Sequence, residues 1–162
     1  MIFSLFNTLN RYAAYLASGV LVLLVLLVVY DATMRYLFQS GSIALQELEW
    51  HFFDVVILLG IGYALSQDYH VRVDIFYERF SKRTKAWVNL FGLIAFVLPF
   101  SALILYIGYD FVLLSFEQME ASSNPGGLPY RFIVKSLMPL SFVLLALQAV
   151  SQIISALREL RS

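Results

Sequence analysis

The sequence predicts an all-α integral membrane protein with four transmembrane helices and a cytoplasmic amphipathic surface helix. The first observation is composition, since 60% of the 162 residues are hydrophobic and 14% are charged, with a mean hydropathy of +0.78. A soluble domain of this length needs far less apolar surface to fill one core. The second observation is a series of long apolar runs, because about 20 apolar helical residues cross a hydrocarbon layer of about 30 Å.

The apolar runs predict a single membrane domain over residues 1–162. Its spans are expected at about 13–35, 46–66, 86–114 and 133–157. The second span has a shorter uncharged run than the others and contains Asp54, yet it keeps the length and hydropathy to cross. The first span is longer than the apolar part of a signal peptide, and no small-x-small cleavage site precedes the polar segment that begins at Asp31. We therefore expect it to remain as an anchor.

The distribution of basic residues predicts the orientation of the spans. Four spans place both termini and the 67–85 link on one side. That side carries eight of the eleven Lys and Arg residues: Arg11, Arg72, Arg79, Lys82, Arg83, Lys85, Arg158 and Arg161. The other side, which we call the outer side, carries Arg35, Arg131 and Lys135. The positive-inside rule therefore predicts cytoplasmic termini.

The cytoplasmic link has a helical pattern of apolar residues. In VDIFYERFSKR, the apolar positions Val73, Phe76, Tyr77 and Phe80 fall at i, i+3, i+4 and i+7. The basic residues, which occupy other positions, are Arg79, Lys82, Arg83 and Lys85. This pattern predicts an amphipathic helix over about 73–85 that lies on anionic lipid headgroups, with Trp87 at the point where the chain re-enters the membrane.

Charged residues near the spans are concentrated at the outer end. We expect a polar network of Asp31, Arg35, Glu47, Glu49, Asp54, Asp110 and Lys135. The spacing of Asp31 and Arg35 is i, i+4, which permits a pair within one helix. Such a network serves either as an ion or substrate path or as a set of interhelical bridges that fix packing. We favour the packing role, because the inner halves of the spans carry nothing ionisable that would continue a path.

Small residues at Gly60, Gly62 and Ala64 in the second span, and at Gly92 and Ala95 in the third, would let neighbouring helices approach closely.

Several classes of site are excluded. The chain has no cysteine, which removes disulfides, thiolate metal sites and iron–sulfur clusters. His51 and His70 lie at opposite ends of the second span, about 28 Å apart along a helix, too far to ligate one haem. No nucleophile, base and orienting group come together, and no lysine follows the glycines of a phosphate loop. A formal net charge of zero gives no general attraction to nucleic acid. We expect no cofactor, no metal and no enzymatic activity.

The ordered segments resemble one known family, the small membrane subunit of tripartite ATP-independent periplasmic (TRAP) transporters. The resemblance covers most of the chain. It is carried by ALQELEWHFFD at the start of the second span, HVRVDIF after it, Pro99 in the third span, and SSNPGGLPYRFIVKSLMPLSFVLLALQ leading through the fourth.

The resemblance implies a non-catalytic partner of a large permease in the bacterial inner membrane. That permease would carry the substrate and sodium sites, and a periplasmic substrate-binding protein would feed it. The large permease is not fused to this sequence, so assembly is expected to be noncovalent. The alternatives are a four-helix anchor or cofactor subunit of a respiratory enzyme and a small transporter that acts alone.

The outer loop between the third and fourth spans is the candidate docking surface for the binding protein, together with the Glu47 and Glu49 region. Its candidates are Gly126, Gly127, Tyr130 and Arg131, because GGLPYR combines a stiff turn with an aromatic ring and a cation. The alternative is a turn that only positions the fourth helix, since Gly and Pro are common in turns.

Overall fold

The computed structural model of the chain describes residues 2–67, 77 and 80–161. These residues form α1 (Ile2–Leu37), α2 (Ile43–Ser66), α3 (Lys82–Gly92), a π-helical turn (Leu93–Val97), α4 (Leu98–Glu117) and α5 (Phe132–Arg161). Four helical stretches are long and apolar enough to cross a membrane: Phe6–Leu37, Ile43–Ser66, Arg83–Glu117 and Phe132–Arg158. The predicted all-α class with four spans is therefore confirmed, and no strand occurs within the described residues.

The helices do not form a closed four-helix bundle. α5 is central, because it packs against α1, α2, α3, the π turn and α4. α1 packs mainly on α2, and the third span, which runs from α3 through α4, packs on α5. Within the described residues the third span has no comparable contact with α1 or α2. α2 and the third span therefore lie on either side of α5 with an open space between them.

The core lies toward the inner ends of the helices. It contains Leu65 of α2, Leu93 of the π turn, and Phe142, Leu145 and Ala149 of α5, all of them buried. Burying each large aliphatic or aromatic side chain contributes about 1.5–3 kcal/mol in water, but in a bilayer the lipid is equally apolar. Close packing on α5 must therefore supply much of the attraction between these helices.

The third span begins at a serine cap and changes its helical period before a proline. Ser81 accepts a hydrogen bond from the backbone N–H of Thr84 at 3.2 Å, so that α3 starts at Lys82. At the π turn the N–H of Leu98 donates to the carbonyl of Leu93, five residues earlier. Pro99 follows directly, and it lacks the N–H that a regular helix would use.

Much of the predicted amphipathic surface helix lies outside the described residues, including Val73, Phe76 and Arg79. Phe80 precedes the cap of α3. The basic positions Lys82, Arg83 and Lys85 belong to the first turn of α3, and the Lys85 ammonium lies 5.1 Å from the centre of the Tyr77 ring. Trp87, one turn further on, is 56% exposed, as an interfacial tryptophan would be.

Candidate functional site

The outer loop, residues 118–131, is a compact turn at the outer end of the helices. Its NPGG segment forms a β-turn in which the N–H of Gly127 donates to the carbonyl of Asn124 at 3.0 Å. Pro125 occupies the second position, and Gly126 has the positive φ of 80° that a type II turn requires at the third. Two further backbone hydrogen bonds tie the arms together, from Ser122 to Leu128 and from Arg131 to Glu120, both at 2.9 Å.

Glu47 of α2 fastens this loop to the membrane helices. One carboxylate oxygen accepts hydrogen bonds from the hydroxyl of Ser122 and, at 3.2 Å, from the amide of Asn124. The other accepts from the backbone N–H of Leu128 at 2.7 Å. A side chain at Gly127 would overlap both Ser122 and Glu47. This close contact explains why the turn has a second glycine, although only Gly126 requires a positive φ. The sequence places Glu47 and the loop in one candidate surface, and the structure joins them by hydrogen bonds.

A second polar group lies between α1 and α2. Asp31 is fully buried and pairs with Arg35, whose side chain is 42% exposed. Glu49 lies near enough to both to interact electrostatically with them. Asp31 and Glu49 each keep one buried carboxylate oxygen without a hydrogen-bond partner among the described residues. Arg35 therefore pairs with Asp31 and lies near a second acid, Glu49, at this contact.

A third polar group joins the outer loop to α5. The ammonium of Lys135 pairs with Glu120 and lies 4.2 Å from the centre of the Phe111 ring of α4. The nearby ammonium lowers the pKa of Glu120 below its ordinary value of 4.5. Glu120 is absent from the sequence-predicted network, because it falls in the loop rather than at the end of a predicted span.

The open space between α2 and the third span contains a cavity of about 560 Å³, which we call the outer groove. α2 forms one wall with Glu47, Trp50, His51, Asp54 and neighbouring residues. The other lining residues are Phe111 of α4, Asn124 and Arg131 of the outer loop, and Val134, Lys135 and Met138 of α5.

The predicted outer network thus divides into separate groups. Asp31, Arg35 and Glu49 lie at the α1–α2 contact, Glu47 binds the outer loop, and Lys135 pairs with Glu120. Two further members make no hydrogen bond or ion pair with any other described residue: Asp54, half-buried in the outer groove, and Asp110, exposed on α4.

The four docking candidates occupy different places in the outer loop. Gly126 and Tyr130 are exposed on its surface, and Tyr130 itself has a positive φ of 60°. Gly127 is packed inside the loop against Ser122, and Arg131 is half-buried and lines the outer groove. Gly126 and Tyr130 are therefore fully accessible to a second protein, and Arg131 offers part of its side chain at the edge of the loop.

Polar residues that the sequence analysis passed over meet at the inner end of the helices. The amide cluster consists of Asn7, Asn10, Gln148 and Gln152. The fully buried Asn10 donates to Gln148 at 3.1 Å and to the carbonyl of Leu144 at 3.5 Å, and Gln148 donates to Asn7 at 3.0 Å. Gln152 donates to the carbonyl of Leu65 in α2. The cluster therefore connects α1, α2 and α5 through uncharged groups. Gln148 and Gln152, two amides in an otherwise apolar span, are the signal that could have revealed part of it, whereas Asn7 and Asn10 precede the first predicted span.

No group of three or more potential metal ligands occurs in the part of the chain that the structure describes. His51 lines the outer groove, whereas His70 lies outside the described residues.

Comparison with known protein families gives one result. Residues 24–159 match the family model described as "Tripartite ATP-independent periplasmic transporters, DctQ component". Comparison with curated proteins found no match.

Proposed function

We infer the function from the family to which this chain belongs, the DctQ component of tripartite ATP-independent periplasmic transporters. The chain is thus the small component of a transporter and spans the membrane several times. We propose that it is the non-catalytic, non-transporting subunit of a sodium-coupled importer in the bacterial inner membrane. In this role it braces the large permease and helps to dock the periplasmic binding protein. The family match over residues 24–159 is the observation that carries this proposal.

The distribution of polar groups supports a role without a transport path. The ionisable side chains of the outer end are largely engaged in binding loop and helices to each other. At the inner end, the side chains of the amide cluster donate hydrogen bonds to each other and to the backbone of neighbouring helices. A path for ions or organic solutes needs polar groups that are free along the full depth of the membrane.

The position of α5 supports a bracing role. α5 is held by every other helix of the described chain, while large apolar side chains of α1 and α4 face outward, among them Tyr15, Val22, Tyr106 and Phe116. An outward apolar surface of this extent must be covered by lipid or by a larger membrane protein.

The outer loop supports a docking role. Hydrogen bonds to Glu47 hold it in one shape, and they leave Gly126 and Tyr130 exposed. A rigid surface that presents an aromatic ring loses little entropy when it binds a second protein. On the cytoplasmic side, we propose that residues 73–85 contact anionic lipid through Arg79, Lys82, Arg83 and Lys85.

Purification of the tagged chain from its native membrane tests this proposal. We expect a colourless complex with a much larger hydrophobic subunit. The respiratory-anchor alternative predicts a haem or quinone spectrum in the same preparation. Recovery of a chromophore with redox subunits would overturn the transporter assignment.

A further inference from the structure

The outer groove contains a carboxylate without a cation. Asp54 is half-buried at the groove wall, and no hydrogen bond or ion pair joins it to another described residue. The other charged side chains of the groove lie near groups of opposite charge. Lys135 pairs with Glu120, and Glu47 is bound by the outer loop and lies near Arg131. Ionised groups within membrane spans are costly and are normally paired. Asp54 is thus the one acid of the groove lining that has neither a hydrogen bond nor an ion pair with a described residue.

Asp54 lies well below the start of α2. Eleven residues separate it from Ile43, the first residue of the helix, which corresponds to about 16 Å along the axis. The headgroup layer on one side of a bilayer is only about 6 Å thick. A lipid ammonium would have to leave this layer to reach the carboxylate, whereas a lysine or arginine on a neighbouring membrane helix is already at that depth.

The surface of α2 around Asp54 is apolar and long enough to pack against another helix. Exposed apolar side chains follow the same side of α2 at Ile43, Trp50, Phe53 and Ile57. They extend over 14 residues, or about 21 Å, a length that exceeds a headgroup and suits a packed helix. Asp54 lies within this stripe, so that a helix packed along it would present side chains directly to the carboxylate.

We propose that the outer groove receives a lysine or arginine side chain from a membrane helix of the large permease, and that Asp54 forms an ion pair with it. The inference rests on the proposed function, which supplies the large permease as partner. The apolar stripe of α2 packs against the helix that carries the cation, and Asp54 fixes its depth and register. Asp54 is thereby an assembly residue of the complex rather than a part of an ion path.

Substitution of Asp54 in the assembled complex tests the pairing. Removing one member of a buried ion pair leaves the other charge unpaired, so we expect Asp54→Asn to raise the dissociation constant of the two subunits about 30-fold or more. Asp54→Glu retains the charge and is expected to stay much closer to the wild type. Glu117→Gln removes an exposed acid outside the groove and serves as the matched control. The isolated chain should keep its thermal stability in Asp54→Asn, because Asp54 has no described partner within it.

A photo-crosslinker identifies the occupant. With p-benzoylphenylalanine in place of Trp50, we expect a covalent adduct with the large permease. An adduct with lipid alone, or an Asp54→Asn complex that dissociates no faster than the wild type, would overturn the inference and leave the proposed function intact. A wild-type chain that retains no large permease would instead refute the proposed function itself.

Discussion

At the scale of single residues, a glycine allows α1 to lie against α2 at the inner end. A side chain at Gly62 would overlap the amide of Asn10, which Gln148 and Leu144 hold in place. Gly62→Ala should therefore destabilise the chain by about 1–3 kcal/mol, the usual range for overpacking a core. The measurement is thermal unfolding in detergent. Gly60→Ala is the matched control, because nothing lies within 4 Å of the Cβ it would add. Equal stability of the two variants would contradict the packing described for Asn10.

Sequence reasoning identifies small residues but not which of them contact another helix. Gly62 permits a close contact, whereas Gly60 and Gly92 have open space where a side chain would be. Gly108, which has no place in the sequence argument, packs against Met138 and Pro139 of α5. The contact depends on how two helices are rotated about their axes, and a weakly amphipathic membrane helix gives little information about that rotation.

At the scale of elements, the ion pair of Glu120 and Lys135 makes the outer loop sensitive to acid. The pKa of Glu120 is lowered by the Lys135 ammonium, so the pair stabilises the folded chain fully above about pH 5. That contribution is lost as the pH falls below the ordinary value of 4.5 and through the lower native value. We expect the apparent unfolding temperature of the wild type to fall more steeply in this range than that of Glu120→Gln. Glu117→Gln, which removes an exposed acid, should behave like the wild type; parallel curves for all three would contradict the pairing.

The outer loop also carries the docking prediction. A charge at the rim of an interface mainly alters the association rate and its salt dependence, so Arg131→Glu should weaken productive docking without dissolving the membrane complex. Tyr130→Ala, which removes an exposed ring, should act in the same direction. The measurement is uptake against binding-protein concentration in liposomes that contain intact complexes. Ser40→Ala, at an exposed outer position away from the loop, is the control. An unchanged concentration dependence in both loop variants would leave the loop with a structural role only.

The helices are well predicted from the sequence, because a run of about 20 apolar residues specifies a membrane span almost independently of tertiary contacts. The turn at Asn124–Gly127 is equally local, since proline and glycine specify its backbone angles. Glu47 lies about eighty positions from the turn residues to which it is hydrogen-bonded, and Asn10 lies 138 positions from Gln148 in the sequence. Such pairs depend on which helices are neighbours, and neither hydropathy nor turn residues specify this.

At the scale of the whole molecule, the bias of basic residues predicts the orientation. Since the chain contains no cysteine, single cysteines at Ser40, Ser81 and Ser123, all exposed, report on one position each. We expect an impermeant thiol reagent to label positions 40 and 123 in intact cells and to label position 81 only after the cells are opened. Labelling of position 81 from outside would reverse the orientation.

The open arrangement of the helices explains why the predicted polar network divides into separate groups. Asp54 and Asp110 would need partners from other helices to join one network, but the third span packs on α5 and leaves the outer groove between itself and α2. A small subunit whose helices do not close on themselves is expected to be completed by a larger partner.

We propose that the chain is required for transport although it contains no transport path. The most direct test of this requirement is sodium-driven uptake into liposomes that contain the large permease with this chain, the large permease alone, or this chain alone, each with the binding protein outside. We predict uptake by the complete complex, a severe loss when this chain is omitted, and none by this chain alone. Uptake by this chain alone, or full uptake by the large permease without it, would contradict the claim.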